Sequence, residues 1–276
     1  MKKVLITGSS GYIGQHLVSL LRHRGDIELH LLDKEIVPKS KRYLIDIRSS
    51  DMIRHSAARL EHYDTIVHLA ALVRVGDSVR QPILYYDTNI NGTTNIIKEL
   101  SYNNFVFAST GAASNPNSPY GYSKRVAEDI VAGYCDNYTT FRFYNVIGSE
   151  HGIQPTNPDG LFHNLIQATR TGEFNLYGND YDTKDGTCVR EYVHVMDICL
   201  SIIKAIDKPS NKIENLAYGD TRTTLEIVNE FKRIHNTDFK INYQPRRPGD
   251  LEKSYLDNPS TYMERNYTYE EMLRYN

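Results

Sequence analysis

The sequence has no tryptophan and only three cysteines, Cys135, Cys188 and Cys199, among 276 residues. Three scattered cysteines cannot build a disulfide framework, and none is part of a CxxC pair of the kind that ligates zinc. No metal site is expected, and a reducing cytoplasm is the expected compartment. Neither sign of charge is in excess: 32 Lys+Arg against 34 Asp+Glu leave a net charge of −2. Such a balance lacks the basic footprint of a protein that grips nucleic acid through its phosphates. No run reaches the roughly 18–20 apolar residues of a membrane-spanning helix. After Met1-Lys2-Lys3 only four residues precede Gly8, too few for the apolar core of a secretory signal. Neither nucleic acid nor a membrane is therefore an expected partner. Tyrosine is abundant at 21 residues, and the apolar fraction of 40% is ordinary for a globular protein. The length suits one large α/β body or two smaller units.

Apolar runs alternate with helical stripes from the first residue to about residue 145. Lys3–Thr7, Ile27–Leu32, Thr65–Ala71, Phe105–Ala108 and Thr139–Phe143 read as buried strands. Tyr12–Arg24, Ile83–Leu100 and Tyr120–Tyr134 carry apolar residues at helical spacing. Strand and helix in alternation predict a parallel sheet with helices on both faces. The rhythm then changes. His151–Gly160 and Gly178–Thr187 are polar loops, Met196–Ile206 and Leu225–Ile234 are helices, and Gln244–Asp250 is a basic turn. The expected fold class is α/β, a doubly wound parallel sheet (Rossmann-like) with a smaller mixed α/β substrate-binding cap. The sheet domain takes residues 1–145, with 193–218 returning to it; residues 146–192 and 219–276 form the smaller part.

The first strand runs into Gly8-Ser-Ser-Gly11-Tyr-Ile-Gly14. Glycines there let the chain turn tightly, let a pyrophosphate approach the backbone, and let the helix pack close to the strand, with its N-terminus facing the anion. Asp33 ends the second strand, where a carboxylate accepts from a ribose 2′-hydroxyl and repels a 2′-phosphate. NAD is thus the expected cofactor, in preference to NADP, with Lys34 the one nearby positive charge. Asp46-Ile47 follows the third strand and is expected to meet the adenine.

Tyr120 and Lys124 stand at i and i+4, on one face of a helix. An ammonium near a phenol favours the phenolate, which makes Tyr120 the candidate general acid/base. The strand ending in Phe107-Ala108-Ser109-Thr110 delivers a hydroxyl to the same edge of the sheet.

Together these positions resemble an extended short-chain dehydrogenase/reductase. Val67–Val79, Tyr85–Thr93, Tyr177–Asp197 and Pro245–Asp250 narrow the likeness to the UDP-glucose 4-epimerase family, over nearly the whole chain. The resemblance implies NAD bound by the 1–145 domain and a UDP-sugar bound by the smaller part. It implies Thr110, Tyr120 and Lys124 as catalytic residues. Cofactor contacts are implied at Tyr12 and Ile13 beside the three turn glycines, at Leu69, Ala70, Ala71 and Asn89, and at Ser109 and Phe143. Tyr120 and Lys124 share in that set, with Lys124 on the nicotinamide ribose. Substrate contacts are implied at Thr110 and Tyr120 on the 4′-hydroxyl. Asn145, Asn164 and Leu165 are implied along the diphosphate or sugar, and Asn175 and Tyr177 near the uracil. Arg190 and Arg247 would clamp the diphosphate, Asp250 the uridine ribose. For Arg190 a surface ion pair with Glu191 or Asp197 is the bland alternative. Arg246 is expected to be solvated and His194 structural.

The implied reaction is NAD-dependent epimerisation at C4 of UDP-glucose and UDP-galactose through a 4-keto intermediate. Ser254 matches the position that lines the pocket at the sugar C2 substituent. A serine there leaves room for the acetamido group of UDP-GlcNAc and UDP-GalNAc. A homodimer through the helices at Ile83–Leu100 and Tyr120–Tyr134 is implied as well. Two departures stand out: a short, nine-residue loop between Thr110 and Tyr120, and Val73 where the family often has a lysine that helps hold the cofactor. Two other readings are open: another nucleotide-sugar enzyme of this class, such as a dehydratase or reductase, and a non-catalytic NAD sensor. A dehydratase needs an acid pair after Thr110, where this chain has Gly111-Ala112-Ala113. A sensor tends to lose the Tyr or the Lys, and both are present.

Overall fold

The computed structural model describes residues 1–35, 41–247, 249–256 and 259–275; Pro248, inside the Pro245–Asp250 stretch, lies outside the described residues. The chain divides into two compact units, Met1–Arg142 with Cys199–Asn215 and Phe143–Ile198 with Leu216–Asn276. The first unit thus ends three residues before the expected 145, and its returning segment is shorter than the expected 193–218.

The first half of the chain runs β1 (Lys2–Thr7), α1 (Tyr12–Leu21), β2 (Ile27–Asp33), β3 (Lys41–Leu44), α2 (Ser50–Arg54), β4 (His62–His68), α3 (Val75–Arg80), α4 (Pro82–Tyr86), α5 (Gly92–Glu99), β5 (Ser101–Thr110), α6 (Pro119–Tyr134) and β6 (Tyr138–Phe143). A seven-stranded sheet has the order β10-β6-β5-β4-β1-β2-β3, where β10 is Ile213–Leu216. β1 lies between β2 and β4 and is parallel to both. Its Val4, Leu5 and Ile6 are fully buried, as a central strand covered on both faces requires. Leu5, Leu32, Ile45, Ile66, Phe105 and Phe107 join one core with Ile96 and Val131 from the helices. The order reverses at β1, and the pairing Thr7↔His68 sets the carboxyl ends of β1 and β4 side by side. Ligands of doubly wound sheets bind at such a point.

Two expected elements differ. The strand expected to reach Ala71 ends at His68, so Leu69–Ala71 belongs to the loop beyond the sheet edge. The helix expected over Ile83–Leu100 is interrupted by a wide π turn at Asp87–Asn91 between α4 and α5. One extra residue in that turn shifts the phase of the helix face, and Asn89 is carried fully inside. The Tyr120 helix starts as its sequence asks: Ser118 caps α6 by accepting the Gly121 N–H, and Pro119 opens it.

The second unit holds β7 (Asn145–Ile147), α7 (Leu161–Thr171), β8 (Glu173–Tyr177), β9 (Val189–His194), β11 (Thr221–Thr223), α9 (Thr224–His235), β12 (Lys240–Gln244), β13 (Lys253–Ser254) and α10 (Tyr269–Leu273); α8 spans Val195–Asp207. β9 pairs with β7, β11 and β13, and β8 pairs in parallel with β12. Capping boxes, Thr223 with Glu226 and Thr268 with Glu271, fix the starts of α9 and α10. Phe162, Leu165 and Ile166 pack with Phe231, Met272 and Leu273 in this unit's core.

Candidate functional site

The turn after β1 has the shape an anion cradle needs. Gly8 has φ +70°, and a Cβ on it would lie 2.6 Å from the Ala70 backbone nitrogen. A Cβ on Gly14 would lie 2.3 Å from the Gly8 carbonyl oxygen, so the helix packs directly on the turn. Gly11 caps α1 without a side-chain hydrogen bond, so no capping side chain stands over the positive end of the helix. These are the features that NAD's pyrophosphate fits. Asp33 reaches back to the turn: its carboxylate accepts the Ser10 N–H at 2.8 Å and the Glu35 N–H at 3.2 Å. The same carboxylate retains lone pairs for a ribose diol. Asp46 is held by Arg48, whose Nη2 donates at 2.6 Å, and this pairing keeps the carboxyl below the usual carboxylate range. Ile47 packs in the core against Gly92, and its carbonyl accepts from Asn95 at 2.9 Å.

The ends of β5 and α6 meet through four consecutive strand residues, Phe107 to Thr110. Thr110 acts on the Tyr120 hydroxyl in the direction that favours its phenolate. The Ala108 carbonyl accepts from Lys124 Nζ at 2.7 Å, and that ammonium sits 4.5 Å from the centre of the Phe107 ring. Ser109 Oγ donates to Glu128 Oε1 at 2.5 Å. The expectation of a lysine-lowered phenol needs correcting. Burial pushes Tyr120 up to about 12, with Thr110 opposing, and burial lowers Lys124 to about 7, with Glu128 opposing. Desolvation exceeds the helix-turn neighbour effect because both groups sit almost wholly inside the protein.

Three further expectations are corrected by burial. Asn89 is fully buried; its Oδ1 accepts from Leu72 N at 2.8 Å, and its Nδ2 donates to Leu72 O and Ser123 Oγ. No surface is left on it for direct contact with a cofactor. Ser109 turns its hydroxyl inward to Glu128. Leu165, expected at the substrate, is fully buried in the second unit's core. Leu69, Ala70 and Ala71 are half-buried, and Phe143 is buried at the end of β6.

In the second unit Arg247 stands over the Tyr177 ring at 4.6 Å and donates to Asp250 at 3.0 Å. Tyr177, Arg247 and Asp250, expected at one ligand, are therefore neighbours. The Arg190 guanidinium donates to the carbonyls of Val189, Leu251 and Glu252. Ser254 pairs with Arg190 across β13 and β9 and is half-buried, with Tyr255 more exposed. Asn145 donates to Glu191 O, and Asn164 spends both amide hydrogens on the carbonyls of Pro158 and Gly160. Asn175 is exposed and accepts from Gln244. Arg246 is not simply solvated: it pairs with Asp180 at 2.7 Å and stacks on Tyr181. His194 is buried and stacked on Tyr267.

Two features escaped the sequence reading. Glu128 is buried in a fork with Arg142, at 2.8 and 2.6 Å, directly below Lys124 on the same helix face. Its signal was a carboxylate at i+4 from Lys124. The polar Gly178–Thr187 loop has a folding reason of its own. Asp185 accepts from Thr187 and from Thr223, the cap of α9, and a Cβ on Gly186 would lie 2.3 Å from Asn179 O.

Comparison with known proteins fits this geometry. Residues 4–218 match the NAD dependent epimerase/dehydratase family. A UDP-glucose 4-epimerase of Lactobacillus helveticus is 32% identical, over 92% of this chain and 88% of its own. The structure of Thermus thermophilus UDP-glucose 4-epimerase in complex with NAD superposes with a TM-score of 0.86 at 27% identity, covering 99% of this chain and 96% of that one. Thermotoga maritima UDP-glucose 4-epimerase with UDP-glucose gives a TM-score of 0.82 at 27% identity, over 98% and 96%. The chain belongs to the NAD dependent epimerase/dehydratase family, among its UDP-glucose 4-epimerase relatives.

Proposed function

We propose that the protein is an NAD-dependent isomerase that interconverts UDP-glucose and UDP-galactose at C4. The observation that carries this reading is the gathering of Thr110, Tyr120 and Lys124 where the end of β5 meets α6, on the unit that also carries the glycine cradle. NAD supplies the hydride acceptor and donor at the sugar C4. Gly8, Gly11 and Gly14, with the backbone of Tyr12 and Ile13, hold its pyrophosphate, and Asp33 holds the adenosine ribose. Tyr120 acts from its phenolate form, having first lost its own proton, to take the proton of the 4′-hydroxyl and later return it, and Thr110 orients that hydroxyl. The 4-keto sugar must present its other face before hydride returns to C4, so the rest of the substrate needs a firm anchor. Arg247 and Arg190 supply it at the diphosphate as planar donors. Asp250 takes the uridine ribose, and Tyr177 with Asn175 the uracil side. Serine at position 254 extends the range to UDP-GlcNAc and UDP-GalNAc.

The working form is a homodimer. Its support is the apolar exposure on α4 and α6, with Ile83 at 78%, Tyr134 at 75% and Tyr122 at 52%. A cytoplasmic location rests on three buried, unpaired cysteines. Incubation of the pure protein with UDP-galactose tests the reading. Appearance of UDP-glucose is the expected result. A product lighter by one water points to a dehydratase instead, and no product at all sinks the enzymatic reading.

A further inference from the structure

His68 ends β4 fully buried, and proton transfer at the sugar gives it no part. Both ring nitrogens are bonded: Nδ1 lies 2.7 Å from the Thr7 hydroxyl and Nε2 lies 3.0 Å from the Thr93 hydroxyl. The neighbours decide the tautomer. Thr93 Oγ1 donates its single hydrogen to the Asn89 carbonyl at 2.7 Å, so toward His68 it can only accept. Nε2 therefore carries the ring hydrogen, Nδ1 accepts, and Thr7 donates to it. Thr7 Oγ1 in turn accepts the Ala70 N–H at 3.3 Å. Burial holds the imidazole neutral, lowered to about 3, and the charged group that acts on it, Lys124, pushes the same way.

The chain of bonds does not stop at Asn89. That side chain grips Leu72 through both its carbonyl and its amide, and donates to Ser123 Oγ at 2.9 Å. Ser123 then donates to the Tyr120 carbonyl at 2.7 Å. Thr7, His68, Thr93, Asn89 and Ser123 are all essentially inaccessible to solvent. Every hydroxyl and ring hydrogen in the series is spent once, so one bonding pattern satisfies all of them. Removing a member leaves a buried group unpaired. The series joins the segment Ala70–Leu72, beyond the carboxyl end of β4, to the turn of α6 that carries Tyr120.

We propose that His68, as the neutral Nε2–H tautomer, is a positioning residue that works through Asn89 to hold the Ala70–Leu72 segment and Tyr120 in fixed relation. The inference rests on the epimerase reading for its kinetic consequence. A reacting geometry loosened by about 1 Å can cost up to about 10²-fold in rate, whereas distant substrate anchors are untouched. The effect belongs in kcat and not in KM.

Two measurements decide it. The first is nitrogen NMR of the histidine-labelled holoenzyme near neutral pH, with His68 assigned by difference from His68→Gln. A neutral ring protonated at Nε2 is expected; an imidazolium or the Nδ1–H form overturns the proposal. The second is turnover of UDP-galactose per NAD-containing subunit. His68→Phe keeps the ring and loses both bonds, and kcat is expected to fall about tenfold or more with KM within about twofold. His68→Gln, which restores a donor toward Thr93, is expected to recover part of the loss. If His68→Phe does not fold, Ser123→Ala removes only the last link and is expected to show the same split. A lower melting temperature with kcat unchanged overturns the proposal. If wild type does not convert UDP-galactose, the epimerase reading fails, and the tautomer still decides the network.

Discussion

Lys124 directs its ammonium to the carbonyl of Ala108, 2.7 Å away, and not to the Tyr120 hydroxyl one helical turn before it. Thr110, at the end of β5, is the group that favours the Tyr120 phenolate. Lysine and tyrosine thus share a helix face, but the strand end of β5 supplies the group that acts on each of them. The first consequence concerns Tyr120 itself. Tyr120→Phe keeps the ring, which packs edge-on to Tyr85 at 6.4 Å. Loss of the acid/base is expected to lower kcat by about 10²-fold or more with the fold intact. Turnover close to wild type would remove Tyr120 from the mechanism.

Lys124 makes stability depend on pH. Its folded value, about 7, lies below its ordinary 10.5, so between those limits the folded chain binds fewer protons than the unfolded one. Stability from this group therefore rises with pH across that window, by up to about 1.4 kcal/mol per pH unit, and the full cost of burying the charge is felt below it. Urea unfolding of protein stripped of nucleotide, wild type against Lys124→Met, is the measurement. Wild type is expected to gain on the variant between about pH 7 and about pH 9. A constant difference would mean that the buried ammonium keeps its ordinary proton affinity.

Cofactor choice tests Asp33. Its carboxylate, fixed by the Ser10 N–H at 2.8 Å, cannot swing away from a 2′-phosphate without giving up that bond. NAD+ is expected to bind the stripped protein more tightly than NADP+ in direct competition. Tighter NADP+ binding would assign control to Lys34.

Substrate range tests Ser254. It is half-buried in β13, opposite Arg190. Wild type is expected to interconvert UDP-GlcNAc and UDP-GalNAc alongside the glucose pair. Ser254→Tyr is expected to suppress only the acetylated pair, because an added ring acts by exclusion. A wild type that turns over UDP-galactose but leaves the acetylated sugars untouched would end the gate assignment.

Much of this protein is local in its sequence. The glycine turn, the acid that ends β2 and the helix face shared by Tyr120 and Lys124 are each set by residues within a few positions of one another. Backbone sterics and helical period act at that range, so the alternating strands and helices and the candidate chemistry are legible without coordinates. Tertiary structure decided what depends on desolvation and on partners distant in the chain. It raised the Tyr120 phenol and lowered Lys124, turned Ser109 inward to Glu128 and Arg142, and buried Leu165. It also interrupted a helix at Asp87–Asn91, which makes Asn89 a strut holding Leu72 and Ser123. Burial and long-range hydrogen bonds are properties of the packed chain, and no spacing in the sequence records which side of a buried group its partner will occupy.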